Sequence, residues 1–280
     1  MIQILFVLIA VSVATSLIGS LLLLRESLMV ADAISHTILL GIVLAYIFTR
    51  DLSSPWLIFG AAAFGLFTVI TIEGLNQTGQ IENDASIGLV FPFFFSIAVV
   101  IISKYFSDVH LDIDMVLLGQ VELSPLKRTE FLGIQIPTAL LQGIMISLVN
   151  LLFILIFYKP LKIRLFDPIY AQSIGIKVKW LDLIMMSLVS LTAVTSFESV
   201  GSKLVIALMA APAMTARLLT RHFASFIALS VVFALLNSVL GYYLGVNFNT
   251  SISAMVAVTS FVVFLIVLLV TKMPKLHKQI

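Results

Sequence analysis

The 280-residue chain contains no cysteine. That removes disulfides and thiolate ligands together, so any metal site must be built from carboxylate, imidazole, carbonyl or water. Charge is also scarce: 11% of residues are Asp, Glu, Lys or Arg and 61% are hydrophobic, against about 25% charged in an ordinary soluble domain. The composition places the chain in a membrane and leaves no room for a soluble catalytic domain. There is no phosphate-binding loop, because Gly201-Ser-Lys203 lacks both the preceding glycine spacing and the following hydroxyl residue. The chain therefore cannot hydrolyse nucleotide by the usual phosphate-loop route, and there is no His-Glu-x-x-His, no Gly-x-Ser-x-Gly and no intramembrane aspartate pair that would suggest a membrane protease. No basic stripe interleaves with aromatics, which argues against nucleic acid as a partner. No repeat, low-complexity tract or linker divides the chain, and residues 1–280 read as a single domain.

What is present is a succession of apolar stretches, each long enough for the roughly 20 residues a spanning helix needs. They predict spans near 3–24, 28–49, 55–75, 86–103, 134–158, 180–199, 203–217, 223–245 and 252–271. The fold class is therefore all-α, a polytopic membrane protein of about nine transmembrane helices, with eight to ten compatible with the pattern. The span at 203–217 is short and interrupted by Pro212, the signature of a broken or re-entrant segment. The first stretch lacks the basic leading region of a secretory signal, since the first positive residue is Arg25, and it reads as a retained helix. With an external N-terminus, the inner side collects Arg25, Lys159, Lys162, Arg164, Arg217 and most other basic residues. Arg50, Lys104, Lys127, Arg128 and Lys203 remain outside.

Two connections break the pattern. The segment at about 104–133 is long, partly polar and external. The segment from Lys159 to Lys179 is internal, and its middle carries the marks of a short helix: Asp167 as N-cap, Pro168 at the first helical position and Gly175 past the end. Its apolar side chains Ile169, Tyr170 and Ile174 have little to bury against, which fits a docking element or an interfacial connector. Ser12, Ser16 and Ser20, and Gly241 with Gly245, recur at four-residue spacing and mark close helix contacts.

The chemistry concentrates in Leu28-Met-Val-Ala-Asp-Ala-Ile-Ser-His-Thr-Ile-Leu-Leu-Gly41. An ionised carboxylate near mid-bilayer costs about 2.5 to 3.5 kcal/mol on insertion scales and needs a partner. Asp32 and His36, four apart on a helix, present their side chains on one face, and Ser35 is a neighbour rather than a third arm. The pair can clamp a divalent ion, hydrogen-bond structurally, or relay protons. A mixed oxygen and nitrogen set favours manganese, iron or zinc over calcium or magnesium. Two ligands are too few for a complete shell, so a second copy, another span or water must finish it. Glu198 is either a gate ligand or the partner of Lys203. His110, Asp112 and Asp114 are a solvated external loop or a capture site for arriving metal. Asp84 caps the span that follows it, and His222 and His277 anchor basic inner flanks.

This pattern resembles the permease subunits of ATP-driven manganese, zinc and iron importers, a branch of the type II ABC importers related to siderophore and cobalamin permeases. The resemblance is carried by the Asp32 to His36 block, by Asp84-Ala-Ser-Ile-Gly88 and Val109-His-Leu-Asp-Ile-Asp114, and by Phe166-Asp-Pro to Gly175. Ser196-Phe-Glu-Ser-Val-Gly201, running on to Ala211-Pro-Ala-Met-Thr-Ala216, completes it. It implies that Asp32 and His36 line the pathway at a permease dimer interface and coordinate the metal, with Glu198 and His110 as secondary candidates. It implies that the helix at about 166–175 is a coupling helix seated in a cleft of an ATPase subunit, through Phe166, Asp167, Pro168, Tyr170, Ala171, Ile174 and Gly175. ATP then sits on that partner, the chain is not itself an enzyme, and no cofactor is permanently bound. An extracellular metal-binding protein delivers the ion, a second permease subunit completes the pathway, and the setting is a bacterial plasma membrane. The 109–114 stretch is most similar to manganese-type members that work as one of two non-identical permeases. Two positions depart from the pattern: Lys203 stands where relatives are apolar, and Gln120 where an acid is expected. The competing classes are a stand-alone proton-coupled transporter using Asp32 and His36, and a structural subunit with no pathway.

Overall fold

The computed structural model describes residues 2–51, 54, 56–76, 78–105, 121–131 and 134–276. Lipid offers the backbone no hydrogen-bond partners, so apolar stretches of this length close their polar groups internally as helices. Among the described residues, nine helices are long and apolar enough to cross a membrane. They are α1 (Ile2–Leu24), α2 (Met29–Thr49), α3 (Trp56–Asn76), α4 (Asn83–Tyr105) and α5 (Thr138–Ile156), followed by α8 (Val178–Val200), α9 (Ser202–Leu219), α10 (Phe223–Asn247) and α11 (Ile252–Leu276). Two short helices, α6 (Tyr158–Phe166) and α7 (Pro168–Ser173), fill the connection between α5 and α8.

Helix α1 is the hub. It packs against α5, α8, α9 and α10, while α2, α3 and α4 form one lobe and α9, α10 and α11 another. Small residues permit this. A Cβ on Gly19 would overlap the Met209 backbone, one on Gly41 would strike Gly60, and one on Gly241 would strike Val256. Ser12, Ser16 and Ser20 are fully buried, and their hydroxyls donate back to carbonyls of their own helix. The expected packing role of both stripes holds. Polar staples add to it: Asn150 Nδ2 donates to the Ala14 carbonyl at 3.0 Å and to Thr192 Oγ1 at 2.9 Å, tying α5 to α1 and α8.

Several expectations are corrected. The fifth span begins at Thr138 rather than 134, because residues 134–137 form a strand, β2 (Ile134–Pro137), paired antiparallel with β1 (Arg128–Phe131). Pro137 accounts for the shift, since the residue before a proline is pushed to extended backbone. The segment holding Pro212 is neither broken nor re-entrant: α9 runs unbroken for 18 residues, about 27 Å. Packing of its buried face against α1, α10 and α11 holds the helix through the one hydrogen bond that proline deletes. Asp84 does not cap α4 but lies inside its first turn, where a carboxylate still meets the positive end of the helix dipole. The connection between α5 and α8 contains α6 as well as the expected helix, and Phe166 ends α6 rather than starting α7.

The polar contacts sort cleanly by end of the bundle. Glu122 accepts from the Ile252 N–H at the start of α11, and Lys127 meets Glu198 at the end of α8. At the opposite end Arg25, Glu73, Arg164 and Asp182 gather. Successive helices therefore alternate in direction, as spans do.

Candidate functional site

Helix α1 ends in a tight turn at residues 25–28, with Glu26 at φ 59°, and α2 starts at Met29. Asp32 thus occupies the first turn of α2 rather than its middle, which moves the carboxylate toward the favourable end of the helix dipole. His36 Nε2 lies 3.8 Å from Asp32 Oδ1. That is too long for a direct hydrogen bond and within ion-pair distance. Ligand atoms about 2.1 Å from one metal ion stand roughly 3 to 4.2 Å apart, depending on the angle at the metal, and 3.8 Å falls within that range.

The two side chains are 50% and 40% exposed, so the clamp opens outward from the subunit. The imidazole is held by aromatic faces of α4, with ring centroids 5.5 Å from Phe91 and 5.8 Å from Phe95. Ser35 is buried and its hydroxyl donates to the Asp32 carbonyl at 2.6 Å. Among the described residues, no three His, Cys, Asp or Glu side chains converge on one point.

Glu198 does not join this pair. It sits at the far end of α8, and its partner is Lys127 at 2.8 Å, not Lys203. Between Glu198 and Lys203, Gly201 at φ 87° ends α8 and α9 begins at Ser202. His110, Asp112, Asp114, Gln120 and His277 lie outside the described residues. His222 is exposed at the start of α10.

The expected short helix is present. Asp167 caps α7, accepting from the Tyr170 N–H at 2.9 Å, and Gly175 at φ 83° permits the chain to leave the helix. Ala171 is fully buried as the helix's foothold, while Phe166, Ile169, Tyr170 and Ile174 are exposed. A groove of about 410 Å³ runs beside it, walled by Phe166 and Tyr170 and flanked by Lys159 and Lys162.

Sequence reasoning missed one cluster. Arg164 forks onto Asp182, and Arg25 pairs with Glu73 and approaches Asp182. The available signal was Glu73 and Asp182 themselves, two acids inside predicted spans, which call for named partners.

A bundle of alternating membrane helices, with a half-exposed carboxylate and imidazole pair and two short helices in one connection, is the architecture of an ABC transporter permease. The chain belongs to the ABC 3 transport family, which matches residues 1–271. It is 40% identical over 267 residues to the zinc transport system membrane protein TroD of Treponema pallidum, covering 95% of this chain and 73% of that one. It is 40% identical over 251 residues to the manganese transport system membrane protein MntD of Bacillus subtilis, covering 89% and 85%. Its fold is similar to that of PsaBC from Streptococcus pneumoniae in complex with Fab, with a TM-score of 0.76 at 30% identity, covering 95% of this chain and 89% of that one. The expected type II importer fold is the fold observed.

Proposed function

We propose that this chain is the membrane-spanning subunit of an ATP-driven importer for a divalent transition metal, with manganese as the first choice and zinc or ferrous iron next. The observation that carries the reading is the Asp32 and His36 pair: two hard-to-intermediate ligands, 3.8 Å apart, half exposed on a helix flank in an otherwise apolar bundle. Their chemistry suits these metals and excludes thiolate-type soft-metal handling. Relatives named for manganese and for zinc support the metal class and leave both ions eligible.

Because the pair opens outward and the chain contributes only two ligands, the shell is completed by a second permease subunit, identical or paralogous, or by water. An extracellular metal-binding protein delivers the ion to the end that holds Glu122, Lys127 and Glu198. ATPase subunits engage α6 and α7, and ATP binding and hydrolysis there rock the two bundles between outward and inward states. The Asp32 and His36 clamp must hold the ion less tightly in the inward state, or the ion would not leave.

The test is ATP hydrolysis by the reconstituted assembly across manganese, zinc and ferrous iron. Stimulation by one of them, absent in Asp32→Asn, is the expected result. Equal hydrolysis with and without every metal, in an assembly that contains the ATPase, would overturn the reading.

A further inference from the structure

We infer that a buried ion network links the ATPase-facing helices to the turn from which the metal-binding helix starts, with Asp182 as the positioning residue at its hub. This rests on the reading of α6 and α7 as the coupling element. Arg164, in the last turn of α6, reaches the Asp182 carboxylate through Nε at 3.1 and 3.2 Å and through Nη2 at 2.7 Å. The Asp182 Oδ2 also lies 3.7 Å from Arg25 Nη2, and the same nitrogen pairs with Glu73 of α3. Arg25 belongs to the 25–28 turn that leads directly into α2 and so to Asp32. Two cations and two anions thus join α6, α8, α3 and the start of α2 in one neutral cluster.

These side chains are only 11% to 24% exposed. Buried ion pairs add little net stability over apolar residues of the same shape, so their use here is better explained by geometry than by holding the fold together. The bidentate fork on Asp182 fixes the relative position of α6 and α8 in a way that a point charge or an apolar contact would not.

Arg25 Nη1 is buried without a hydrogen-bond acceptor. Beside it a cavity of about 680 Å³ is lined by Arg25 and Arg164 and also by Glu82 and Asp84 at the start of α4. A shift of α6 that draws Arg164 off Asp182 changes the charges that Arg25 shares, and Glu82 and Asp84 line the same cavity as Arg25. Coupling through this cluster requires a second arrangement of these charges, biased from one side by α6 and felt on the other at the start of α2.

The test compares wild type with the apolar double variant Arg164→Met/Asp182→Leu, which removes the fork without stranding a buried charge, and with Asp182→Glu. All are assembled with the ATPase subunit, and co-purification, metal affinity, metal-stimulated hydrolysis and uptake per ATP are measured. The double variant is expected to assemble and to bind metal as wild type does, while uptake per ATP and metal stimulation fall about tenfold or more, the size of a typical coupling term. Asp182→Glu is expected to recover part of both. A double variant that assembles and couples as wild type does overturns the inference alone. So does one that loses assembly and metal binding together, since that marks the fork as merely structural. A wild-type chain that engages no ATPase overturns the permease reading itself.

Discussion

Lys127 Nζ lies 2.8 Å from Glu198 Oε1 and fastens the residue ahead of the β1–β2 hairpin to the last turn of α8. Lys127 is 78% exposed, so the pair is worth about 0 to 1 kcal/mol and weakens with salt. Glu198→Gln is expected to lower the thermal midpoint of the purified assembly marginally and to leave metal uptake within about twofold, well under the ~1.4 kcal/mol of a tenfold effect. A collapse of uptake at unchanged stability would make Glu198 a ligand of the transport path.

Asp32→Asn and His36→Ala each remove one arm of the clamp without touching the α2 contacts with Phe91 and Phe95 in the first case, and with loss of them in the second. Uptake is expected to fall at least tenfold in both, or more than about 1.4 kcal/mol of binding. Metal content of the purified assembly, measured by elemental analysis, should fall in parallel. Uptake intact in Asp32→Asn would favour a subunit without a pathway.

Asp167 accepts the Tyr170 N–H at the start of α7. Asp167→Ala should cost about 1 kcal/mol of local helix stability, and Tyr170→Ala should remove an exposed aromatic from the docking face. ATPase co-purification is expected to weaken in both while metal binding at α2 stays unchanged. Unaltered co-purification in the pair of them would leave α7 as an interfacial connector.

Gly241 meets Val256 across the α10–α11 contact, whereas Gly74 in α3 has open space where a side chain would go. Gly241→Leu is expected to destabilise by about 1 to 3 kcal/mol through overpacking. Gly74→Ala is expected to be neutral or to stabilise by up to about 1 kcal/mol, since alanine suits a helix better. Thermal unfolding in detergent distinguishes them, and equal midpoints would contradict the close approach.

Much of this was legible in the chain itself. Hydropathy located the nine spans seen among the described residues, because length and apolarity are local properties and lipid forces the helix. Asp167, Pro168 and Gly175 announced α7 because capping is decided by neighbours in sequence. The pairing of Glu198 was misread because Lys203 is close along the chain, while Lys127 is 71 residues away and approaches only after folding. The Pro212 helix looked breakable because propensity weighs one lost hydrogen bond and cannot weigh a buried face.

The sequence by itself determined a membrane bundle, its helix boundaries to within a few residues, and a carboxylate and imidazole on one helical face, all set by spacing along a single strand of chain. Only the tertiary structure decided that α1 is the hub, that Asp32 and His36 stand apart and open outward, and that Arg25, Glu73, Arg164 and Asp182 share one cluster. The reason is physical: those relations depend on how closely helices approach one another. In lipid that distance is set by the fit of small residues such as Gly19, Gly41 and Gly241 against distant partners.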